Sequence, residues 1–196
     1  MIVIIDYGLG NVKSISNMLN KIDVENMITS DVDVINSADK YILPGVGSFD
    51  EAMRRINEAD WLKALEFNVI KLRKPILGIC LGMQLLSIGS EEGKLRGLSW
   101  VDVTFNRFDR DMLTPHMGWN IVKSVNSELF KKLDMARFYF VHSFYLAAEN
   151  SCSIATSNYN KEFSCAMNYE NIYGVQFHPE KSHRFGKQLL KNFSEL

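Results

Sequence analysis

Short apolar runs alternate with amphipathic stretches over the first 90 residues of the chain. The runs at 2–5, 24–28, 41–43 and 75–79 have the length and aliphatic content of buried strands. The intervening stretches at 11–21, 49–59 and 61–72, and a further face formed by Leu81, Leu85 and Ile88, place apolar side chains at helical spacing. This alternation is typical of a parallel sheet covered by helices, and few other folds accommodate it.

The second half of the chain is richer in strands. Val, Ile, Phe, Tyr and Thr dominate the segments 99–105, 137–145, 152–158, 163–168 and 172–177. A last helix fits 182–194, with Ser182 as its N-cap. Since the sequence shows neither a linker nor a repeat, we predict one α/β domain over residues 1–196, with a central, mostly parallel sheet flanked by helices and a strand-rich second half.

Charge and composition exclude several classes of partner. The 22 Lys and Arg residues are balanced by 23 Asp and Glu, and the two signs are interspersed. A nucleic-acid or membrane partner is therefore not expected. The apolar run at 2–5 is too short for a signal peptide or a membrane span, which favours a cytoplasmic protein. Three cysteines, an odd number, are expected to be free thiols.

The segment Gly78-Ile79-Cys80-Leu81-Gly82 falls where a strand is expected to turn directly into a helix. Its spacing is that of a nucleophile elbow, with cysteine in the place of serine. At the start of a helix the backbone favours a thiolate and offers N–H groups to an oxyanion. The alternative is that Cys80 is a small core residue. The flanking glycines favour the nucleophile.

A cysteine nucleophile needs a base and a group that orients the base. His178 and Glu180 lie in the segment Phe177-His178-Pro179-Glu180, where the proline favours an extended His178, so that residues i and i+2 share a face. Glu180 can then hold His178. The alternatives are an ordinary strand that ends at a proline, or the start of a zinc deaminase signature, for which the second half is missing.

The turn Pro44-Gly45-Val46-Gly47 should lie at the same edge of the sheet, because it follows the strand at 41–43. A backbone N–H near Val46 or Gly47 would then complete an oxyanion hole with the N–H of Leu81. The glycines at 8 and 10 begin a dinucleotide fingerprint, but its third glycine is replaced by Lys13. Neither a phosphate loop nor a metal-ligand cluster is present, so we expect no cofactor and no metal.

These motifs resemble the class I, triad-type glutamine amidotransferases. The likeness rests on Gly78–Gln84 and Phe177–Glu180 and extends over the whole chain. The segments Pro115–Asn120 and Tyr139–Phe144 resemble those of the glutaminase subunits of imidazole glycerol phosphate synthase. The resemblance implies a flavodoxin-like fold and a Cys80, His178 and Glu180 triad.

The same resemblance implies further site residues and a partner. Positions that match glutamine-holding residues of relatives are Gln84, Glu92, His142, Ser143 and Phe144, and those that match partner-facing residues are Asn11 and Lys181. For His116 and Trp119, packing in a turn and contact with a ligand or partner remain equally open. The implied reaction is hydrolysis of L-glutamine through a Cys thioester, with ammonia passed to a (β/α)₈ cyclase in a heterodimer.

The sequence leaves other functions open. The same glutaminase chemistry could supply a different synthase, for example one that amidates surface glycans. The chain could instead be a stand-alone γ-glutamyl hydrolase, or a non-catalytic subunit that only stabilises a synthase. Rapid activity without a partner would identify the stand-alone hydrolase. Failure of Cys80 to react with a glutamine-analogue electrophile would identify the non-catalytic subunit.

Overall fold

The strands and helices follow the alternation that the sequence predicts. The structure is a computed structural model that describes residues 1–125 and 127–196. The strands are β1 (Ile2–Ile5), β2 (Asn26–Thr29), β3 (Lys40–Gly45), β4 (Ile76–Cys80), β5 (Gly89–Ser90), β6 (Thr104–Arg107), β7 (His116–Ile121), β8 (Lys123–Ser124), β9 (Arg137–His142), β10 (Phe144–Ala147), β11 (Ser153–Asn158), β12 (Glu162–Tyr169) and β13 (Ile172–Val175). The α-helices are α1 (Val12–Asn20), α2 (Val32–Ser37), α3 (Phe49–Asn57), α4 (Leu62–Glu66), α5 (Leu81–Leu85) and α6 (His183–Glu195).

One large mixed sheet organises the molecule. Its strand order is β2-β1-β3-β4-β13-β12-β10-β6-β5, with β11 paired to β12 and β8. The strands β2, β1, β3, β4 and β13 run parallel to one another, and β12 turns antiparallel beside β13. Strands β7 and β9 form a separate antiparallel pair. The expected α/β architecture with a central sheet is confirmed.

Alternate residues of the parallel strands supply two cores, one on each face of the sheet. In β1, Ile2 and Ile4 pack with residues of α1 and α6, whereas Val3 and Ile5 pack with residues of α3 and α5. Both faces are covered, which explains why these strands are continuously apolar rather than alternating. Within the described ranges no helix is long and apolar enough to cross a membrane.

The prediction of a strand over 99–105 is wrong for most of its length, because β6 begins at Thr104. The backbone N–H groups of Ser99, Trp100 and Val101 instead donate to carbonyls of Leu86 and Ser87. Val101 is 1% exposed, so its apolar character reflects a loop that closes over α5.

Other predicted boundaries are also corrected. The helix predicted over 61–72 is α4 followed by a π-helical turn, Phe67–Lys71, where the amide of Asn68 donates to the Ala64 carbonyl. Ile88 lies beyond the end of α5, and the turn predicted at 44–47 begins only after β3 ends at Gly45. The sequence did not predict α2 or β7.

Candidate active site

A cleft of about 250 Å³ opens at the carboxyl ends of β3 and β4, beside the segment that follows β13. Its wall contains most of the residues that the sequence singled out: Val46, Gly47, Cys80, Leu81, Gln84, Glu92, His142, Ser143, Phe144, His178 and Lys181. Glu180 is not on this wall but contacts His178. Asn11 precedes α1 and does not line the cleft. The structure therefore brings together segments from four parts of the chain.

Cys80 is both the last residue of β4 and the residue that precedes α5. Its backbone has φ 55° and ψ −113°, a conformation that side-chain-bearing residues rarely adopt. The strand therefore turns into the helix within a single residue. This places the thiol at the base of the cleft, where Cys80 is 7% exposed.

Glycines surround this turn because the chain packs too closely for side chains, and not because they carry its positive φ. A Cβ at Gly82 would lie 1.8 Å from the Leu43 carbonyl oxygen, and one at Gly78 would lie 2.7 Å from the Gly82 carbonyl oxygen. The flanking glycines therefore permit the elbow by leaving room for the backbone. The unusual dihedral angles belong to Cys80 itself.

His178 and Glu180 form a buried pair. Nδ1 of His178 donates to Oε1 of Glu180 at 2.8 Å, and their side chains are 2% and 1% exposed. The sequence predicted this contact from an extended chain, yet only His178 is extended, since Pro179–Lys181 forms a 3₁₀ turn. The turn is held by Ser182, whose Oγ donates to the His178 carbonyl at 2.6 Å instead of capping α6.

The surroundings of His178 favour its protonated form. Burial alone would lower its pKa, but the adjacent Cys80 and the Glu180 carboxylate outweigh burial and raise the pKa of His178 to about 10. Nε2 of His178 is buried without a hydrogen-bond partner in the described part of the chain. His178 and Cys80 line the same cleft, so the two side chains are suited to act as an imidazolium and a thiolate.

The candidate oxyanion donors lie on the opposite side of Cys80. Pairing of β3 with β4 sets Gly45 opposite Cys80, so Val46 and Gly47 leave the sheet beside the thiol. Gly47 has φ +95°, which favours glycine. Tyr7, which the sequence did not single out, donates from its buried hydroxyl to the Pro44 carbonyl at 2.7 Å and fixes the end of β3.

Two side chains give the cleft polar recognition groups. Gln84 is buried and its Oε1 has no partner among the described residues. Glu92 is half-buried, and burial together with the neighbouring Asp50 raises the pKa of its carboxyl. A desolvated carboxylate of this kind gains from pairing with an ammonium group.

His116 and His142 explain how the wall at 142–144 is held. Nδ1 of His142 bonds the Phe144 carbonyl at 2.8 Å, so its Nε2 accepts from Nδ1 of His116 at 2.9 Å. Burial lowers the pKa of His116 to about 4 and that of His142 to about 3, so both are neutral. His116 therefore packs behind the wall without lining the cleft, and it does so on strand β7 rather than in a turn.

Trp119 differs from His116, although both lie on β7. Met117, Trp119 and Ile121 point outward and are 60%, 46% and 40% exposed. We call these three residues the β7 stripe. Trp119 stacks on His183, at 5.5 Å between ring centroids. Polar and apolar residues alternate along this segment as in a strand, and the structure turns the apolar side outward.

A cysteine at a strand-to-helix turn, in one cleft with a buried His–Glu pair on an α/β sheet, is an arrangement that enzymes of acyl transfer use. The family model of glutamine amidotransferase class-I matches residues 3–195. The chain is 50% identical to imidazole glycerol phosphate synthase subunit HisH of Bdellovibrio bacteriovorus over 100% of both chains. It is 49% identical to subunit HisH 2 of Methanococcus maripaludis, over 98% of each. The chain belongs to the class-I glutamine amidotransferase family and, within it, to the HisH group.

A solved structure supports the fold alone. The structure of PurLQS from Thermotoga maritima superposes with a TM-score of 0.77 at 15% identity, over 99% of this chain and 97% of that one. Such distant likeness confirms the arrangement of the sheet and helices.

Proposed function

We propose that this chain is the glutaminase subunit of imidazole glycerol phosphate synthase in histidine biosynthesis. It hydrolyses L-glutamine to glutamate and ammonia and passes the ammonia to a cyclase subunit, which forms imidazole glycerol phosphate and AICAR. The observation that carries this proposal is Cys80 at the strand-to-helix turn, facing the same cleft as a histidine that is held by a buried carboxylate. We treat residues 1–196 as one amidotransferase domain, acting in the cytoplasm.

The reaction follows from the groups that line the cleft. The Cys80 thiolate attacks the side-chain carboxamide, and the N–H groups of Leu81 and of Val46 or Gly47 stabilise the oxyanion. Protonated His178 gives its proton to the departing ammonia, which leaves a glutamyl thioester. Neutral His178 then accepts a proton from water as it attacks the thioester, and glutamate leaves. Glu180 keeps the ring oriented in both steps.

Substrate recognition uses the remaining polar groups. The negative charge of Glu92 complements the positive α-ammonium group of glutamine. Gln84 offers an acceptor that has no partner among the described residues. His142, Ser143 and Phe144 form the facing wall. The cleft of about 250 Å³ is large enough for a small amino acid such as glutamine.

A partner must receive the ammonia, since free ammonia would be protonated in water. The β7 stripe is an exposed apolar strip near the cleft, and Lys181 lines both the cleft and a second groove. That groove carries Lys21, Arg184 and Lys187. An apolar strip beside basic residues fits a partner with an acidic rim. We assign this face, with Asn11, to a (β/α)₈ cyclase.

The test is glutamine turnover by the isolated chain and by its complex with purified cyclase and the cyclase's nucleotide ligand. We expect slow turnover alone and a large increase in the liganded complex, because small changes at 44–47 would align the oxyanion N–H groups. Cys80→Ala should lower turnover on the order of 10⁴-fold or more in the complex. The matched control is Cys152→Ala, a buried cysteine outside the cleft.

Three results would each contradict a part of the proposal. Full turnover in Cys80→Ala would show that Cys80 is not the nucleophile. Equal turnover with and without liganded cyclase would show that the turn at 44–47 does not gate the reaction. Activation by a different synthase would show that the ammonia acceptor is not the cyclase.

A further inference from the structure

Gln176 is a buried amide below the cleft that the mechanism does not yet use. It is 0% exposed and follows β13. Its Nε2 donates to Sγ of Cys80 at 3.7 Å, and its Oε1 accepts from Nε2 of Gln84 at 3.0 Å. A chain of two amides therefore connects the cleft wall to the reacting sulfur atom.

The sulfur atom fixes the direction of this chain. A neutral thiol can donate to the Val141 carbonyl, 3.8 Å from Sγ, and still accept weakly from the amino group of Gln176. A thiolate only accepts and accepts more strongly, so this contact with Gln176 stabilises the thiolate more than the thiol. The carbonyl of Gln176 then faces Gln84, which must donate.

The direction continues to the substrate. The amino group of Gln84 is committed to Gln176, and its Oε1 is buried without a partner in the described residues. The Gln84 side chain lines the cleft. A buried acceptor without a partner is unfavourable until a donor arrives. The amide chain therefore leaves an acceptor for an N–H group of the substrate only when the sulfur accepts at its other end.

We infer that Gln176 is a positioning residue that holds the Cys80 thiolate and sets the polarity of Gln84. The inference rests on the proposed glutaminase function and extends it, because it connects substrate recognition at Gln84 to the ionisation of the nucleophile. Neither effect requires Gln176 to contact glutamine.

The first experiment measures alkylation of Cys80 by iodoacetamide as a function of pH in the full chain. We expect Gln176→Met to lower the rate at pH 6.5 by about 10- to 100-fold, the value of one hydrogen bond to a charged group, and to change it much less at pH 10. Cys80→Ala gives the background of the two buried cysteines. The matched control is Asn192→Leu, which removes a buried amide bonded to Leu129 and Lys131, away from the cleft.

The second experiment tests the direction of the amide chain from its other end, at Gln84. In Gln84→Glu a carboxylate replaces the donor, so Gln176 must turn its amino group toward residue 84 and away from Sγ. We expect slower alkylation at pH 6.5 and a pH profile shifted upward. When Gln176→Met is already present, adding Gln84→Glu should not slow alkylation of Cys80 any further.

Outcomes separate the inference from the function. An unchanged alkylation profile in Gln176→Met would overturn the inference. If Gln84→Glu slows alkylation equally with and without Gln176, its charge acts through space and the inference is also wrong. Alkylation requires no glutamine, so a wild-type chain that fails to hydrolyse glutamine in the liganded complex would refute the proposed function alone. Glutamine kinetics give a further readout: Gln176→Met should lower kcat more than it raises KM.

Discussion

At the scale of single residues, the site depends on one strained cysteine and one buried ion pair. A side chain at the dihedral angles of Cys80 costs on the order of 1–3 kcal/mol, which the surrounding packing must offset. The Glu180 carboxyl is as buried as the His178 ring that it contacts. A buried carboxylate that bonds an imidazolium stabilises the charge that His178 needs.

The charge of Glu180 can be tested without changing its shape. Glu180→Gln should lower the pKa of His178, because the amide keeps an oxygen acceptor but carries no charge. Less imidazolium then means less thiolate, so alkylation of Cys80 at pH 7 should slow by about tenfold or more, and kcat/KM for glutamine should fall by about 10²-fold or more.

The control for this variant is Glu195→Gln, at the exposed end of α6. The measurement is the pH dependence of alkylation from pH 5 to 10. A profile that superposes on that of the wild type would show that Glu180 orients His178 but does not affect its charge.

Residue types and spacing predicted Cys80, His178, Glu180 and the turn at 44–47, because each chemical role demands a particular side chain or turn. The resemblance to relatives was the basis for the other predicted residues of the cleft wall, Gln84, Glu92, His142, Ser143, Phe144 and Lys181. Cys80 and His178 were identifiable from the motifs around them. Gln176 and Tyr7 were not, since a buried glutamine or tyrosine has no distinctive spacing. Their roles depend on contacts with residues 96 and 37 positions away, Cys80 and Pro44.

At the scale of elements, the turn from β4 to α5 depends on close backbone packing. Gly82→Ala would place a methyl group 1.8 Å from the Leu43 carbonyl oxygen, which no rotamer relieves. We expect the end of β3 to shift, destabilising the fold by about 1–3 kcal/mol or more and lowering glutaminase activity by about 10²-fold or more.

A matched glycine substitution serves as control for that variant. Gly89→Ala meets no atom within 4 Å, and its φ is not positive. It should keep both stability and activity, measured by urea denaturation and by glutamine turnover in the complex. Equal effects of the two substitutions would show that the elbow tolerates a Cβ.

The β7 stripe is tested by its effect on the partner. Trp119→Ala should weaken binding to the cyclase by about tenfold or more, because exposed aromatic residues contribute strongly at interfaces. Basal turnover of the isolated chain should stay the same. Leu113→Ala, at a residue that is 82% exposed but outside the stripe, is the control. Titration calorimetry measures both affinities, and unchanged affinity for Trp119→Ala would move the interface elsewhere.

Helices and strands with a regular repeat of apolar residues were predicted well, whereas short elements without such a repeat were not. The strand β1 and the helix α6 lie within a residue or so of their predicted positions, because each buries a regular apolar pattern. The six-residue helix α2 has little period to detect, and its start depends on Asp31, which accepts from the N–H groups of Asp33 and Val34.

At the scale of the whole molecule, two buried histidines connect stability to pH. The pKa values of His116 and His142, about 4 and about 3, lie below the value of about 6.5 expected in the unfolded chain. Between pH 6.5 and 4 the unfolded state therefore binds more protons. The free energy of unfolding should fall by about 1.4 kcal/mol per pH unit for each histidine as pH decreases.

The pKa of His178 is shifted in the opposite direction, so His178 does not affect the pH dependence of stability between pH 6.5 and 4. Its pKa is raised, so the stability it contributes is fully present below about pH 6.5 and is lost only as pH rises toward 10. His116→Asn should reduce the slope to about half, whereas His183→Asn, at an exposed histidine, should retain it. Urea denaturation at several pH values from about 6 to 4.5 measures the slope. If His116→Asn leaves the slope of the free energy of unfolding against pH unchanged, His116 does not have a lowered pKa in the folded chain.

The sequence by itself determined the class of fold and located the candidate nucleophile, because burial on both faces requires continuously apolar strands and a cysteine elbow requires nearby small residues. It also predicted that His178 and Glu180 contact each other, since only one residue separates them. The tertiary structure alone decided that Cys80 and His178 share a cleft, that Gln176 links Cys80 to Gln84, and that β7 turns its apolar side outward. Each of these depends on the distance between remote segments, and that distance is set by the register of the strands that carry them.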